Sequence, residues 1–245
     1  MIDHIHPGYV KSETHNGITT IEFHHPQSNS LPSKILEKLA QEIHSTAHDD
    51  DTQVIILRSP GEKTFCAGAS FDELSLIRNK EEGLQFFSGF AHVINAMRKC
   101  PKLIIGRIHG KTVGGGVGLV AATDYAIAVE GADVKLSELA IGIGPFVVGP
   151  AVERKIGVAA FSHLAIDATS WRNADWAKRK GLYAELHPTI EGMDESISRL
   201  SNTIIHSSME AIAELKKILW KGTENWDSLL QERAAISGRL ILSEF

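Results

Sequence analysis

Cysteine is scarce in this chain, and long apolar runs are missing. Only two of its 245 residues are cysteines, Cys66 and Cys100. They are too few and too scattered for a disulfide framework or a CxxC site. Two isolated thiols suit a reducing compartment, so the expected location is cytoplasmic. No apolar stretch reaches the length of a membrane span, about 20 residues, so no membrane partner is expected. The opening residues, Met1-Ile2-Asp3-His4-Ile5-His6-Pro7, lack the basic and apolar regions of a signal peptide. A basic excess is missing too: Lys+Arg number 25 against Asp+Glu 30, a net charge of −5. Without a polybasic run or stripe, nucleic acid is not expected as the main partner.

What the chain does have is the composition of a globular protein, 43% hydrophobic and 22% charged. Its length buries a sizeable core in one main domain, with room for a smaller appendage.

The periodicity predicts alternating strands and helices. Ile18–Phe23 alternates in strand fashion after a turn at Asn16-Gly17. Ser33 is the expected N-cap of a helix carrying Ile35, Leu36, Leu39 and Ile43. Val54–Leu57, Leu103–Ile108 and Tyr125–Val129 are short continuous apolar runs, the pattern of strands buried on both faces. Helices are expected at Phe71–Ile77, Glu82–Met97, Gly116–Thr123, Ala151–Ile156 and Asp175–Arg179. Strand signals then cease, and Ser196–His206, Met209–Trp220 and Trp226–Leu240 look helical. The expectation is an α/β core over 1–188 and a helical C-terminal region over 189–245.

Two glycine-marked loops carry the chemical signal. One is Phe65-Cys66-Ala67-Gly68-Ala69-Ser70-Phe71, and the other is Val113-Gly114-Gly115-Gly116-Val117-Gly118-Leu119. Each can present a backbone N–H to one buried carbonyl oxygen, and two such donors make an oxyanion hole. Lys135-Leu136-Ser137-Glu138-Leu139 adds a carboxylate in an apolar run, where desolvation raises a carboxyl pKa into a useful range. Two peptide donors and one desolvated acid suit proton transfer beside a carbonyl.

The ordered segments resemble the crotonase (enoyl-CoA hydratase/isomerase) superfamily. The likeness runs from Phe65 to Leu74, from Lys102 to Leu119, through Ala122-Thr123-Asp124-Tyr125, and from Lys135 to Gly142. It implies a spiral of ββα units whose helical C-terminal region builds homotrimers, often paired into hexamers. It implies an acyl-CoA substrate and no separate cofactor or metal. By motif position, the oxyanion N–H groups are those of Ala69 and Gly115, and Glu138 is the catalytic acid/base. Ala67, Gly68, Ser70, Phe71, Leu74, Gly114, Gly118, Ile141 and Pro145 are the implied substrate-binding positions.

One departure bears on the reaction. Hydratases of this superfamily usually carry a second glutamate where this chain has Gly118. Two carboxylates suit water addition, whereas one suits moving a proton between carbons of one acyl chain. Ser70 replaces a common aspartate, a change of less chemical weight. A decarboxylase, a branched-enoyl-CoA hydratase and a non-catalytic acyl-CoA-binding protein are the alternatives on this fold.

Other candidates have plainer readings. Cys66 has no base with a claim on it, so burial rather than nucleophilic attack is expected. His109 reads as structural, and neither His44/His48 nor His24-His25 has the carboxylate partner of a metal motif. Phe86, Phe87 and Phe90 form a core face, with acyl-pocket lining as the second reading. Trp220 and Trp226 belong to helix packing, and one of Lys216, Lys217 or Lys221 is a candidate for the CoA phosphates.

Overall fold

The computed structural model describes residues 8–243, so the Met1–Pro7 segment weighed above lies outside them. The chain begins with a hairpin of β1 (Tyr9–His15) and β2 (Ile18–His24), paired from Tyr9↔His24 to His15↔Ile18. α1 (Ser33–Ala47) follows, then β3 (Val54–Arg58), β4 (Thr64–Cys66), α2 (Phe71–Leu74) and α3 (Lys80–Lys99). Next come β5 (Leu103–Ile108), β6 (Lys111–Val113), α4 (Gly115–Ala122), β7 (Tyr125–Val129) and β8 (Val134–Lys135). A short 3-10 helix at Glu138–Ile141 leads to α5 (Gly149–Ile166), α6 (Ala174–Arg179) and β9 (Glu185–His187). α7 (Ile190–Ile205), α8 (Met209–Leu219) and α9 (Trp226–Leu240) complete the described elements.

The strands form two sheets. The larger has order β1-β2-β3-β5-β7-β9, parallel throughout apart from the β1–β2 hairpin. The smaller, β4-β6-β8, is parallel. One strand of the large sheet, one of the small sheet and then a helical segment recur three times. This is the ββα spiral the resemblance implies. The central strands carry continuous apolar stretches because helices cover the sheet, leaving little of either face to water. β4, β6 and β8 escaped sequence reading because two or three residues carry no periodicity.

Several boundaries differ from expectation: α2 ends at Leu74 instead of Ile77, and three other differences have local reasons. Pro32, not Ser33, holds the extended N-cap position (φ −62°, ψ 157°), and Ser33 opens α1. The Glu73 carboxylate does the capping, accepting the Ser33 N–H at 2.8 Å and its hydroxyl at 2.7 Å. The helix expected to end at Ile156 continues to Ile166 beyond a break at Gly157 (φ 76°). α7 starts at Ile190, capped by the Thr189 hydroxyl at 3.1 Å from Gly192 N.

One buried cluster extends from Ile21 to Ala234. α9 lies against α3 so closely that a Cβ at Gly238 would sit 2.7 Å from the Gly83 carbonyl carbon. α8 is tied to the sheet by a buried ion pair, Lys216 Nζ to Asp124 Oδ2 at 2.8 Å. The other Asp124 oxygen accepts the Trp220 indole N–H at 3.0 Å, and the Arg154 guanidinium lies over the Trp220 ring at 4.2 Å. Lys216 is therefore committed to the core and is withdrawn as a candidate phosphate ligand. Among the described residues, no helix is long and apolar enough to cross a membrane.

Candidate active site

The first loop leaves β4 at Cys66 and is held by a strap at Leu31. Leu31 N donates to Gly68 O at 2.8 Å, and Ser70 N donates to Leu31 O at 3.3 Å. These bonds consume the groups on either side of Ala69, so the Ala69 N–H faces the opposite way. Gly68 adopts φ 91°, a region glycine enters without strain.

The second loop turns from β6 into α4. Gly114 (φ 52°, ψ −121°) precedes the first helical residue, Gly115. The Gly115 N–H is one of the amides a helix start leaves without an internal acceptor. Neither it nor the Ala69 N–H has a hydrogen-bond partner among the described residues. The loops converge: a Cβ on Gly68 would lie 3.5 Å from Gly115 N. The Phe90 ring covers Gly115, where a Cβ would be 2.2 Å from its Cζ. Any side chain at Gly115 would displace that ring.

The acid comes from the third segment. Glu138 opens the 3-10 helix, which Gly142 ends at φ 79°. Its carboxyl is turned to the second loop, with Oε1 3.1 Å from where a Gly114 Cβ would stand. Glu138 is partly exposed as a residue, but its Oε2 is shielded from solvent and has no hydrogen-bond partner among the described residues. Loss of hydration pushes the carboxyl up to about 7, while the backbone amides of Glu138 and Ser137 pull the other way. Near neutrality it can accept or release a proton.

The three segments enclose a cavity of about 210 Å³. Of the sequence-derived positions, Ala67, Gly68, Ala69, Phe71, Leu74, Gly114, Gly115, Glu138, Ile141 and Pro145 line it. Phe86, Phe87 and Phe90 line it as well, so the aromatic stripe of α3 is both packing and pocket wall. Glu138 is the sole carboxylate in the lining among the described residues.

Two expected positions fall outside the lining. Ser70 is buried behind the first loop, where its Oγ caps α2 by accepting Glu73 N at 3.3 Å. Gly118 is packed beneath Val148, whose Cγ1 would lie 2.4 Å from a Cβ added there. Val148 itself lines the cavity, so a valine stands where a second carboxylate would reach in.

Ser137, Phe146 and Val148 also line the cavity, and sequence reading missed Ser237 there. Ser137 lies within the Lys135–Leu139 segment. Ser237 comes from α9, which packs closely on α3 at Gly83 and Gly238. Cys66 is buried against Gly116, accepts the Gly68 N–H at 3.4 Å, and has its thiol pushed up to about 12 by desolvation. It is no nucleophile at neutral pH. His109, 2% exposed and edge-on to Phe65, lies outside the cavity and is pushed down to about 4 by burial and, secondarily, by Arg107. Among the described residues, no three His, Cys, Asp or Glu side chains cluster as metal ligands would.

A sequence model described as "Enoyl-CoA hydratase/isomerase" matches residues 13–239. A Bacillus subtilis (strain 168) protein named "Probable enoyl-CoA hydratase" is 32% identical over 143 residues, which is 58% of this chain and 55% of that protein. This chain thus spans about half the length of that curated relative. An Arabidopsis thaliana protein named "Delta(3,5)-Delta(2,4)-dienoyl-CoA isomerase, peroxisomal" is 25% identical over 231 residues, 88% of this chain and 81% of that one. In fold, the chain is similar to the crystal structure of enoyl-CoA hydratase from Bacillus halodurans. The TM-score is 0.88 at 22% identity, and the likeness covers 96% of each chain.

Proposed function

The chain belongs to the enoyl-CoA hydratase/isomerase family, and we propose that it isomerises enoyl-CoA thioesters by moving a proton along the acyl chain. The observation that carries this reading is the pairing of one desolvated carboxylate, Glu138, with a second carboxylate position closed by Val148 over Gly118.

The thioester oxygen sits between the Ala69 and Gly115 N–H groups, which stabilise the negative charge that develops there. The Glu138 carboxylate removes a proton from C2 of a 3-enoyl chain. The C–H electron pair moves into the dienolate, and the charge rests on the thioester oxygen. The Glu138 carboxylic acid, formed in that step, returns the proton to C4. The electrons flow back, leaving a 2-enoyl thioester and regenerating the carboxylate. No water is consumed. Hydration would need a second group to orient water, and Ile143, Val147 and Val148 make that part of the wall apolar. The relative named as a dienoyl-CoA isomerase supports chemistry of this kind.

Assembly as a homotrimer or a pair of trimers belongs to the same reading. Leu215, Ile218 and Leu219, exposed along α8, offer it apolar surface, and light scattering tests it. The catalytic reading is tested by comparing conversion of 3-enoyl-CoA to 2-enoyl-CoA by the parent and by Glu138→Gln. The variant is expected to lose activity about 100-fold or more. Equal turnover by both would remove Glu138 from the mechanism.

A further inference from the structure

A second cavity of about 340 Å³ adjoins the first. It occupies the cleft between α5, through Phe161, Ala165 and Ile166, and α9, through Arg233. Its wall is mainly apolar. The two cavities have three lining residues in common, Gly144, Pro145 and Phe146. Gly144 contributes only backbone to this partition. Pro145 is the centre of a three-residue turn in which Phe146 N donates to Gly144 O at 2.7 Å. The turn is stiff, and it folds Phe146 back over Gly144. The ring occupies the space a side chain would need there, with Cζ 2.6 Å from a Gly144 Cβ position. Gly149 N, donating to Pro145 O at 2.7 Å, pins the far end of the loop.

We propose that the Phe146 ring is the stop that sets acyl length: it closes the reaction cavity against the second cavity and restricts the protein to short acyl groups. This rests on the acyl-CoA reading of the first cavity. Among the shared residues, Phe146 alone has a long side chain. Removing it clears the space above Gly144 that both cavities border and gives a longer acyl tail an apolar channel toward Phe161 and Ala165. Each methylene such a tail buries strengthens binding about fourfold.

The test is calorimetric titration with saturated butanoyl-, hexanoyl-, octanoyl- and decanoyl-CoA, which reads binding without turnover. For the parent, affinity should stop rising beyond a short chain and then fall. Phe146→Ala should bind decanoyl-CoA about tenfold tighter than the parent does, or better, and its ratio of decanoyl- to butanoyl-CoA affinity should rise by at least as much. Phe146→Leu, a milder truncation, should give an intermediate profile if the alanine variant folds poorly. Ala165→Phe in the Phe146→Ala background should refill the second cavity and reverse the gain. Length profiles that stay parallel in the parent and both Phe146 variants overturn the proposal, as does a parent that binds decanoyl-CoA more tightly than hexanoyl-CoA. Folded proteins that bind no thioester of any length overturn the acyl-CoA reading itself, an outcome distinct from parallel profiles.

Discussion

Val148 occupies the space above Gly118: a Cβ at Gly118 would stand 2.4 Å from Cγ1 and 2.6 Å from Cβ of Val148. The contact joins the glycine-rich helix α4 to the loop that leads into α5. It makes the missing second carboxylate a matter of packing as well as sequence. Gly118→Glu alone is expected to overpack this contact, costing about 1–3 kcal/mol, with a further penalty for a buried charge. Paired with Val148→Gly, the same glutamate has room to reach the cavity. The double variant should gain water addition to 2-enoyl-CoA that neither the parent nor Gly118→Glu shows. Chromatographic detection of 3-hydroxyacyl-CoA checks this.

The Glu138 carboxyl fixes the pH response. Its pKa in the folded protein lies near 7, against an ordinary value of 4.5, chiefly through desolvation. In the proposed isomerisation the carboxylate begins the reaction as base. kcat/KM for 3-enoyl-CoA should therefore rise with pH and level off above about 7. Initial rates across pH 5–9 measure the limb, and a limb centred near the ordinary carboxylate pKa contradicts the assigned environment.

The same shift has a cost in stability. Folding raises the Glu138 pKa, so the folded state suffers no penalty from this group below about pH 4.5. The penalty grows as pH rises toward 7 and is complete above it, reaching about 3 kcal/mol. Glu138→Gln should be more stable than the parent at pH 8, with the gap closing by pH 4. Paired denaturant titrations at the two pH values read it.

Much of the fold was legible in the sequence, because burial on both faces leaves a continuous apolar run. β3, β5 and β7 are such runs, and all three fell where the sequence placed them. The small sheet was not legible, since its strands are defined by partners rather than by their own residues. At the site, the two loops and Glu138 were readable because glycine and a carboxylate in an apolar run are local signals. Val148 over Gly118, Ser237 from α9 and Phe146 over Gly144 were not. Each depends on how a distant segment or a tight turn packs, which spacing does not encode. The lysines of α8 gave a misleading signal: Lys216 looked like a surface cation but serves Asp124 in the interior.

That pair yields a stability prediction. Lys216 also donates to Lys102 O at 2.7 Å, and Asp124 accepts Ile104 N at 2.8 Å. Lys216→Met strands a buried carboxylate and should cost about 3–5 kcal/mol. Urea unfolding measures the loss. Acyl-CoA affinity in the folded variant should stay near that of the parent, as a phosphate ligand would not allow.

On the proposed reading, one carboxylate moves a proton and no water is added. Mass spectrometry of 3-enoyl-CoA after incubation in heavy water tests it most directly. Isomerisation by Glu138 should give a 2-enoyl-CoA product carrying deuterium only through exchange of the transferred proton, without the mass of an added water, and little product with Glu138→Gln. A 3-hydroxyacyl-CoA product carrying the mass of heavy water, formed by the parent at a rate matching or exceeding double-bond migration, would contradict it.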